Sequence, residues 1–174
     1  MIASTTEIVR RADHIVRTCG TRDARRIAEA LGVAVVYCPF RQQRGAYKVI
    51  LRNRFLFVKE DLSPVMESIV LLHELGHDQL HRHEATRTGG FKEFNIFDVR
   101  DSRMEYEANV FATQVALPDD AFLELVGRGY DVQQIAEALR SDVNLVALKA
   151  DTLISRGYRL RAQEHKNDFL RYDR

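Results

Sequence analysis

Apolar side chains recur every three or four residues along most of this chain, which is the spacing of one face of an α-helix. The pattern predicts helices at residues 5–19, 23–31, 102–117, 120–126, 131–139 and 142–156. Gly32, Gly127 and Gly157 directly follow three of these segments, as glycines often do at helix C-termini. Asp131 and Gln134 have the spacing of a capping box at the start of another.

Three short stretches between the early helices follow a strand pattern instead. Residues 33–37, 46–51 and 54–58 are rich in β-branched and aromatic side chains. The second and third stretches are predicted to pair as a hairpin about Arg52 and Asn53. Residues 84–101 have no helical period, and we expect a loop there with a short extended piece near 94–97. Strands followed by helices predict an α+β fold.

One further helix follows the strands directly and carries two histidines. Ser63 is a preferred N-cap residue, and Pro64 occupies the first helical position, where its missing N–H costs nothing. His73 and His77 lie on the apolar face that this helix should turn toward the core. The helix is expected to continue to about residue 81 or 83.

The two histidines and the glutamate between them form the pattern H-E-x-x-H. Residues four apart lie one helical turn apart, so both imidazoles of His73 and His77 point the same way. Glu74 is rotated by about 100° from His73, within reach of a metal-bound water without being a ligand. This arrangement favours two imidazoles on zinc and a carboxylate as general base.

The alternative is that these histidines are core residues satisfied by hydrogen bonds, with Glu74 exposed to solvent. Burying two imidazoles side by side without a metal or a carboxylate is costly, which argues against it. Gly76, inside the same helix, costs about 1 kcal/mol relative to alanine. We therefore expect another backbone to approach closely at Gly76.

A catalytic zinc usually has three protein ligands, so a third must come from elsewhere in the chain. The candidates are Glu105 and Glu107, which both flank the apolar stripe of the helix at 102–117. Ser102 and Glu105 also fit a capping box, which would explain Glu105 without a metal. Asn109 lies four residues after Glu105, where its amide can orient a ligand from the second shell. The spacing favours Glu105 as the third ligand but does not exclude Glu107.

Other polar residues near this pattern have simpler interpretations. His81 shares the helical face of His77, but we expect it to pack against or cap the helix end, with His83 solvated. Peptide hydrolysis also needs a donor for the developing oxyanion, and the sequence does not choose among its candidates. These are Tyr47, His83, Arg103 and Tyr106.

Composition limits the classes of function that remain. The 174 residues are 45% hydrophobic and 29% charged with a net charge of +1, which predicts one domain over residues 1–174. Residues 161–174 are expected to be a loosely packed tail. The balanced charge argues against direct nucleic acid or membrane binding. Two cysteines in no metal-ligand spacing, with no visible secretory signal or membrane span, predict a cytoplasmic protein without a disulfide.

The stretches 73–77, 105–112 and 117–118 resemble the two motifs of the ImmA/IrrE family of metallopeptidases. The resemblance implies a zincin-like fold, with a small twisted β-sheet packed on the H-E-x-x-H helix and a mostly helical C-terminal half. It also implies one Zn²⁺ on His73, His77 and Glu105, with Asn109 and Glu107 in the second shell. The chain is too short for the further domains of the radiation-response members, so it looks more like the ImmA type.

The resemblance further implies a zinc endopeptidase that cleaves a helix-turn-helix repressor and so derepresses a mobile genetic element or stress response. A non-proteolytic anti-repressor that sequesters its partner through the same fold is the alternative. An intact Glu74 argues against that alternative, since only catalysis needs a carboxylate there. A metal-free DNA-binding regulator is disfavoured because no basic stripe is present.

Overall fold

The computed structural model describes residues 4–88, 91–93 and 103–160. Over these ranges the helices are α1 Thr5–Cys19, α2 Ala24–Ala30, α3 Pro64–Leu80, α4 Arg82–Thr88, α5 Arg103–Ala116, α6 Asp119–Gly127, α7 Val132–Ala138 and α8 Val143–Ser155. The strands are β1 Ala34–Cys38, β2 Gly45–Ile50, β3 Asn53–Lys59 and β4 Phe91–Glu93. The predicted α+β class with a small sheet and a mostly helical second half is confirmed.

The four strands form one sheet in the order β1-β3-β2-β4. β1 runs parallel to β3, whereas β2 is antiparallel to both β3 and β4. The predicted hairpin is therefore confirmed, but its turn lies one residue earlier than expected. Ile50 pairs with Asn53, so the turn residues are Leu51 and Arg52, with φ of +50° and +68°. Turns with two positive φ values usually contain Asn or Gly, and neither stands at these positions.

Helix α3 packs across one face of this sheet. Tyr47 on β2 and Leu56 and Val58 on β3 are fully buried in the same core cluster as Val70 on α3. The start of α3 is as predicted, because the Ser63 hydroxyl accepts a hydrogen bond from the Met66 backbone and Pro64 occupies the first turn. This packing places β2 against the middle of α3, the helix that carries the two histidines.

Helix α5 packs closely against α3, and a glycine sets the distance. A Cβ added at Gly76 would lie 2.9 Å from Ala108 Cα and 3.0 Å from Ala108 O. The expected close approach of another backbone at Gly76 is thus confirmed. It brings the start of α5 beside the histidines of α3.

The remaining helices mostly match their predicted limits. The capping box of Asp131 and Gln134 is present at the start of α7, and Gly157, with φ of +93°, follows α8. Two predictions were wrong. Helix α6 includes Gly127, and the left-handed residue is Gly129, with φ of +82°. Helix α4 replaces the first part of a predicted loop. Among the residues of α4 whose side chains are described, only Ala85 is buried, so the helix shows no apolar period.

Several expectations fall where the structure offers no test. The extended piece near 94–97, the capping role of Ser102 and the tail at 161–174 lie outside the described residues. Cys19 and Cys38 are both free and half-buried. Among the helices that the structure describes, none has the length and apolar character needed to cross a membrane.

Candidate metal centre

His73 and His77 lie in the middle of α3, where every residue from Ile69 to Asp78 is buried. Their Nε2 atoms face each other at 3.1 Å. Burial excludes water from both rings, so each nitrogen must find its partner within the protein. Burial also lowers the pKa of His77 to about 4, against the raising effect of a hydrogen bond to the Glu105 carboxylate. The His77 ring is therefore neutral near pH 7, as a metal ligand must be.

Glu105 on α5 supplies a carboxylate oxygen at the same point. Its Oε2 lies 3.1 Å from His73 Nε2 and 3.3 Å from His77 Nε2. Zinc bonds of about 2.0–2.2 Å in a tetrahedral arrangement hold their donor atoms about 3.3–3.6 Å apart. The three donor atoms, 3.1–3.3 Å apart, need to separate by only a few tenths of an ångström to surround one zinc ion.

Glu107, the other candidate, points away from these donor atoms. Its Oε2 lies 3.1 Å from His81 Nε2, and its Oε1 accepts a hydrogen bond of 2.9 Å from Arg103 Nε. His81 caps the end of α3, as predicted, and is buried, whereas His83 is exposed. The geometry thus brings Glu105 to the two histidines and places Glu107 behind them.

Asn109 contacts the opposite edge of the His73 ring. Its Oδ1 lies 2.9 Å from His73 Nδ1. An amide oxygen only accepts hydrogen bonds, so Nδ1 carries the proton and Nε2 keeps its lone pair. The amide predicted to orient a ligand from the second shell therefore does contact a candidate ligand, and that ligand is His73.

Glu74 is fully buried next to this group, and the solvent-exposed alternative for it is wrong. Neither carboxylate oxygen has a hydrogen-bond partner within the part of the chain that the structure describes. Burial, and then the charge of Glu105, raise the pKa of Glu74 well above its usual range. A buried carboxyl group without a partner is costly, and a raised pKa is typical of groups that transfer protons.

Known proteins carry related sequences. A family model described as the IrrE N-terminal-like domain, a peptidase family, matches residues 28–151, which include all the candidate residues of this centre. The chain belongs to this family. The predicted resemblance to ImmA/IrrE proteins is confirmed.

The names of two related proteins bear on function. The chain is 25% identical to metallopeptidase ImmA of Bacillus subtilis (strain 168) over 133 residues, covering 74% of this chain and 75% of ImmA. It is 39% identical to uncharacterized immunity region protein 2 of Bacillus phage phi105 over 75 residues. That second match covers 43% of this chain and 45% of the phage protein, less than half of its length. Family and names together support a metallopeptidase.

Two residues of this IrrE-like domain that matter for the centre have no signal in the sequence. A Cβ added at Gly45 on β2 would lie 2.5 Å from Glu74 Oε1 and 2.7 Å from Val70 Cγ1, so only glycine leaves room for the buried carboxylate. Asp78, directly after His77, is also fully buried. It accepts hydrogen bonds from the Tyr47 hydroxyl at 2.8 Å and from Arg54 at 3.0 Å.

The Asp78 contacts tie α3 to the sheet and remove one oxyanion candidate. The Tyr47 hydroxyl is buried and already donates to Asp78, so it is not available to a substrate. Tyr106 and Arg103 are at the start of α5 with exposed side chains, and His83 is exposed on α4. Asp78 also accepts hydrogen bonds from Gln79 and Arg82 nearby in the chain. Its two partners on the sheet, Arg54 and Tyr47, are 24 and 31 residues away, which is why this link could not be read from local spacing.

Proposed function

We propose that this IrrE-like domain is a zinc-dependent endopeptidase. His73, His77 and Glu105 would bind one Zn²⁺, and Glu74 would act as the general base. The observation that carries the proposal is the convergence of three donor atoms within 3.1–3.3 Å of one another beside a buried carboxylate. The donor set of two imidazoles and one carboxylate is a known catalytic zinc set.

The proposed mechanism divides the chemistry between the metal and the chain. Zinc, when bound, polarises the scissile carbonyl group and makes water more acidic. Glu74 takes a proton from the attacking water and transfers it to the leaving amine. The raised pKa of Glu74 favours its protonated form and so supports the second step, in which it gives the proton to the leaving amine. Asn109 accepts a hydrogen bond from His73 Nδ1, which leaves the Nε2 lone pair of His73 directed at the proposed metal position.

We propose a helix-turn-helix repressor of the same genetic element as the substrate. The support is the family, the name of ImmA and the immunity-region name of the phage relative. Cleavage of such a repressor would derepress a mobile element and would take place in the cytoplasm. On this proposal the enzyme contacts its protein substrate and not DNA.

Co-expression with the repressor encoded beside this gene tests the proposal. We expect a discrete repressor fragment with the wild-type enzyme. Glu74→Gln should reduce cleavage by about 10²–10⁴-fold, because general acid–base catalysis contributes about that much. Glu60→Gln is a matched control on an exposed position and should cleave normally. Zinc content and binding of the repressor should be unchanged in Glu74→Gln.

The outcome in cells separates cleavage from sequestration. If the Glu74→Gln strain derepresses the element as well as wild type does, the protein works as a non-proteolytic anti-repressor. If wild type produces no fragment and binds no zinc, the proposed peptidase site is wrong.

A further inference from the structure

A line of hydrogen-bonding side chains leads from His77 away from the three donor atoms. It passes through His81 to Glu107 and ends at Arg103. We propose that His81 and Glu107 are positioning residues that hold His77 in the tautomer whose Nε2 can bind a metal. This inference rests on the metal site proposed above and adds two residues that act behind it.

The first link joins two imidazole rings. His77 Nδ1 lies 3.1 Å from His81 Nδ1, a distance at which one nitrogen donates a hydrogen bond to the other. Two neutral rings can make this bond in either direction, and the direction decides where each ring keeps its lone pair. The contact between the rings alone therefore does not select a tautomer of His77.

The second link sets that direction. His81 Nε2 lies 3.1 Å from Glu107 Oε2, and an ionised carboxylate only accepts hydrogen bonds. His81 therefore carries its proton on Nε2, and its Nδ1 accepts a hydrogen bond from His77 Nδ1–H. His77 is then protonated on Nδ1, which leaves its Nε2 lone pair for a cation held between His73 Nε2 and Glu105 Oε2. Without a cation, Glu105 Oε2 at 3.3 Å competes for a proton on the same Nε2.

Glu107 is itself held in place from its other oxygen. Arg103 Nε donates a 2.9 Å hydrogen bond to Glu107 Oε1, one helical turn earlier on α5. This ion pair holds one oxygen of the Glu107 carboxylate and leaves Oε2 turned toward His81. The backbone N–H of His81 donates to His77 O at 2.9 Å, which fixes the ring of His81 at the end of α3.

Burial gives these links their strength. His77, His81 and Glu107 are exposed by 1%, 7% and 7%, so water competes poorly for their hydrogen bonds. Helix α5 thus contributes one donor atom from Glu105 and the group that orients each histidine. Asn109 orients His73 directly, and Glu107 orients His77 through His81.

Zinc and cobalt titrations of three variants test the inference. His81→Phe keeps a ring but loses both nitrogens, and it should weaken Zn²⁺ binding by about 10–100-fold, the usual effect of removing such a partner. His81→Gln retains one acceptor and one donor and should recover part of that loss. Glu107→Gln should weaken binding by up to about 10-fold, because a carboxamide oxygen still accepts but lacks the charge.

Two controls match these substitutions. His83→Phe removes an exposed histidine two residues from His81. Glu124→Gln breaks an exposed ion pair with Arg128 that has the same four-residue spacing as Glu107 and Arg103. Both controls should bind Zn²⁺ and Co²⁺ as wild type does.

Nitrogen NMR of the imidazole rings at pH 8 tests the tautomer without any metal. In metal-free Glu105→Ala, which lacks the carboxylate that competes for a proton on Nε2, His77 should carry its proton on Nδ1, and this preference should weaken when Glu107→Gln is added. A proton on Nε2 of His77 in Glu105→Ala would overturn the inference, whether or not the wild-type protein binds zinc. So would a His81→Phe variant that binds Zn²⁺ within about twofold of wild type, or equal losses in His81→Phe and His81→Gln. If the wild-type protein binds no metal but His77 has the expected tautomer in Glu105→Ala, the proposed enzymatic function is wrong and the inference about His81 and Glu107 stands.

Discussion

Two groups of buried polar side chains differ in what surrounds each charge. In the lysine cluster, Lys149 on α8 is fully buried and donates to Gln114 Oε1 at 2.6 Å and to Asp119. Arg156 lies 2.7 Å from the second oxygen of Asp119, although its Nη1 is buried without a hydrogen-bond partner among the described residues. Each cation in this cluster thus faces at least one acceptor. In the metal centre, lone pairs and carboxylate oxygens converge on one another instead.

The pKa values of two carboxyl groups express this difference. Burial acts to raise the pKa of Asp119, but the hydrogen bonds from Arg156 and Lys149 outweigh it and lower the pKa to about 2. Burial raises the pKa of Glu74, and the charge of Glu105 raises it further. A buried carboxyl group is thus stabilising or destabilising according to its partners. The lysine cluster supports the fold by itself, whereas the metal centre is arranged to favour a cation.

Removing the metal should have the largest effect on stability. A ligand that binds only the folded protein adds about 4 kcal/mol to the free energy of unfolding when its concentration is 1,000 times its Kd. A chelator should therefore lower the urea midpoint of the zinc-loaded protein substantially. His77→Ala should hold little zinc and should not respond to the chelator. Identical unfolding curves of wild type with and without chelator would contradict a native metal site.

Lys149→Met should have the next largest effect. Removing one partner of a buried ion pair costs about 3–5 kcal/mol, and we expect about 3 because Asp119 retains some contact with solvent. Urea unfolding measures the loss, and zinc content should stay at one equivalent. The control is Lys59→Met, which breaks an exposed pair with Asp61 and should cost less than about 1 kcal/mol.

Gly45→Ala should cost about 1–3 kcal/mol, because overpacking a filled core has about that effect. The added Cβ would meet Glu74 Oε1 at 2.5 Å, so the carboxylate must move. Proteolysis should therefore fall much more than zinc affinity does. Gly127→Ala provides a control, because an added Cβ there meets nothing within 4 Å among the described residues. Equal activity in Gly45→Ala and wild type would mean that the site accommodates the added methyl group without displacing the Glu74 carboxylate.

Glu74→Met should stabilise the metal-free protein by about 1 kcal/mol, the opposite sign to Lys149→Met. The buried carboxyl group makes no hydrogen bond within the described residues, so its removal leaves no partner unsatisfied. Unfolding of both variants in the presence of a chelator compares them directly. Destabilisation of both variants by similar amounts would mean that the two buried groups do not differ as described.

The last effect should appear only at acidic pH. The pKa of Asp119 is lowered to about 2 from an ordinary value of 3.8, so its charge stabilises the folded state above pH 4. That contribution should be lost as the pH falls from about 4 to 2. Asp119→Asn should therefore be less stable than wild type at pH 5, with the difference shrinking toward pH 2 in urea titrations. A difference that is independent of pH would exclude this linkage.

Local patterns explain which parts of the fold could be predicted. The N-cap at Ser63, Pro64 in the first turn and the capping box of Asp131 and Gln134 each depend on residues within four positions. The spacing of His73 and His77 is likewise a property of one helix. Helix α4 could not be predicted because it is too polar to show a period, whereas α2 and α7, which are equally short, carry apolar residues at helical spacing.

The sequence by itself determined the histidine-bearing helix, the order of helices and strands apart from α4 and β4, and the family to which the chain belongs. It left Glu105 and Glu107 open, because both flank the apolar stripe of α5 at similar angles. Only the tertiary structure placed Glu105 at the two histidines and Glu107 behind them at His81. That choice depends on how closely α5 approaches α3, which Gly76 and Ala108 set by backbone contact across more than thirty residues of chain. The contact between Gly45 and Glu74 could not be predicted for the same reason, because steric fit between distant segments has no periodic signal in the sequence.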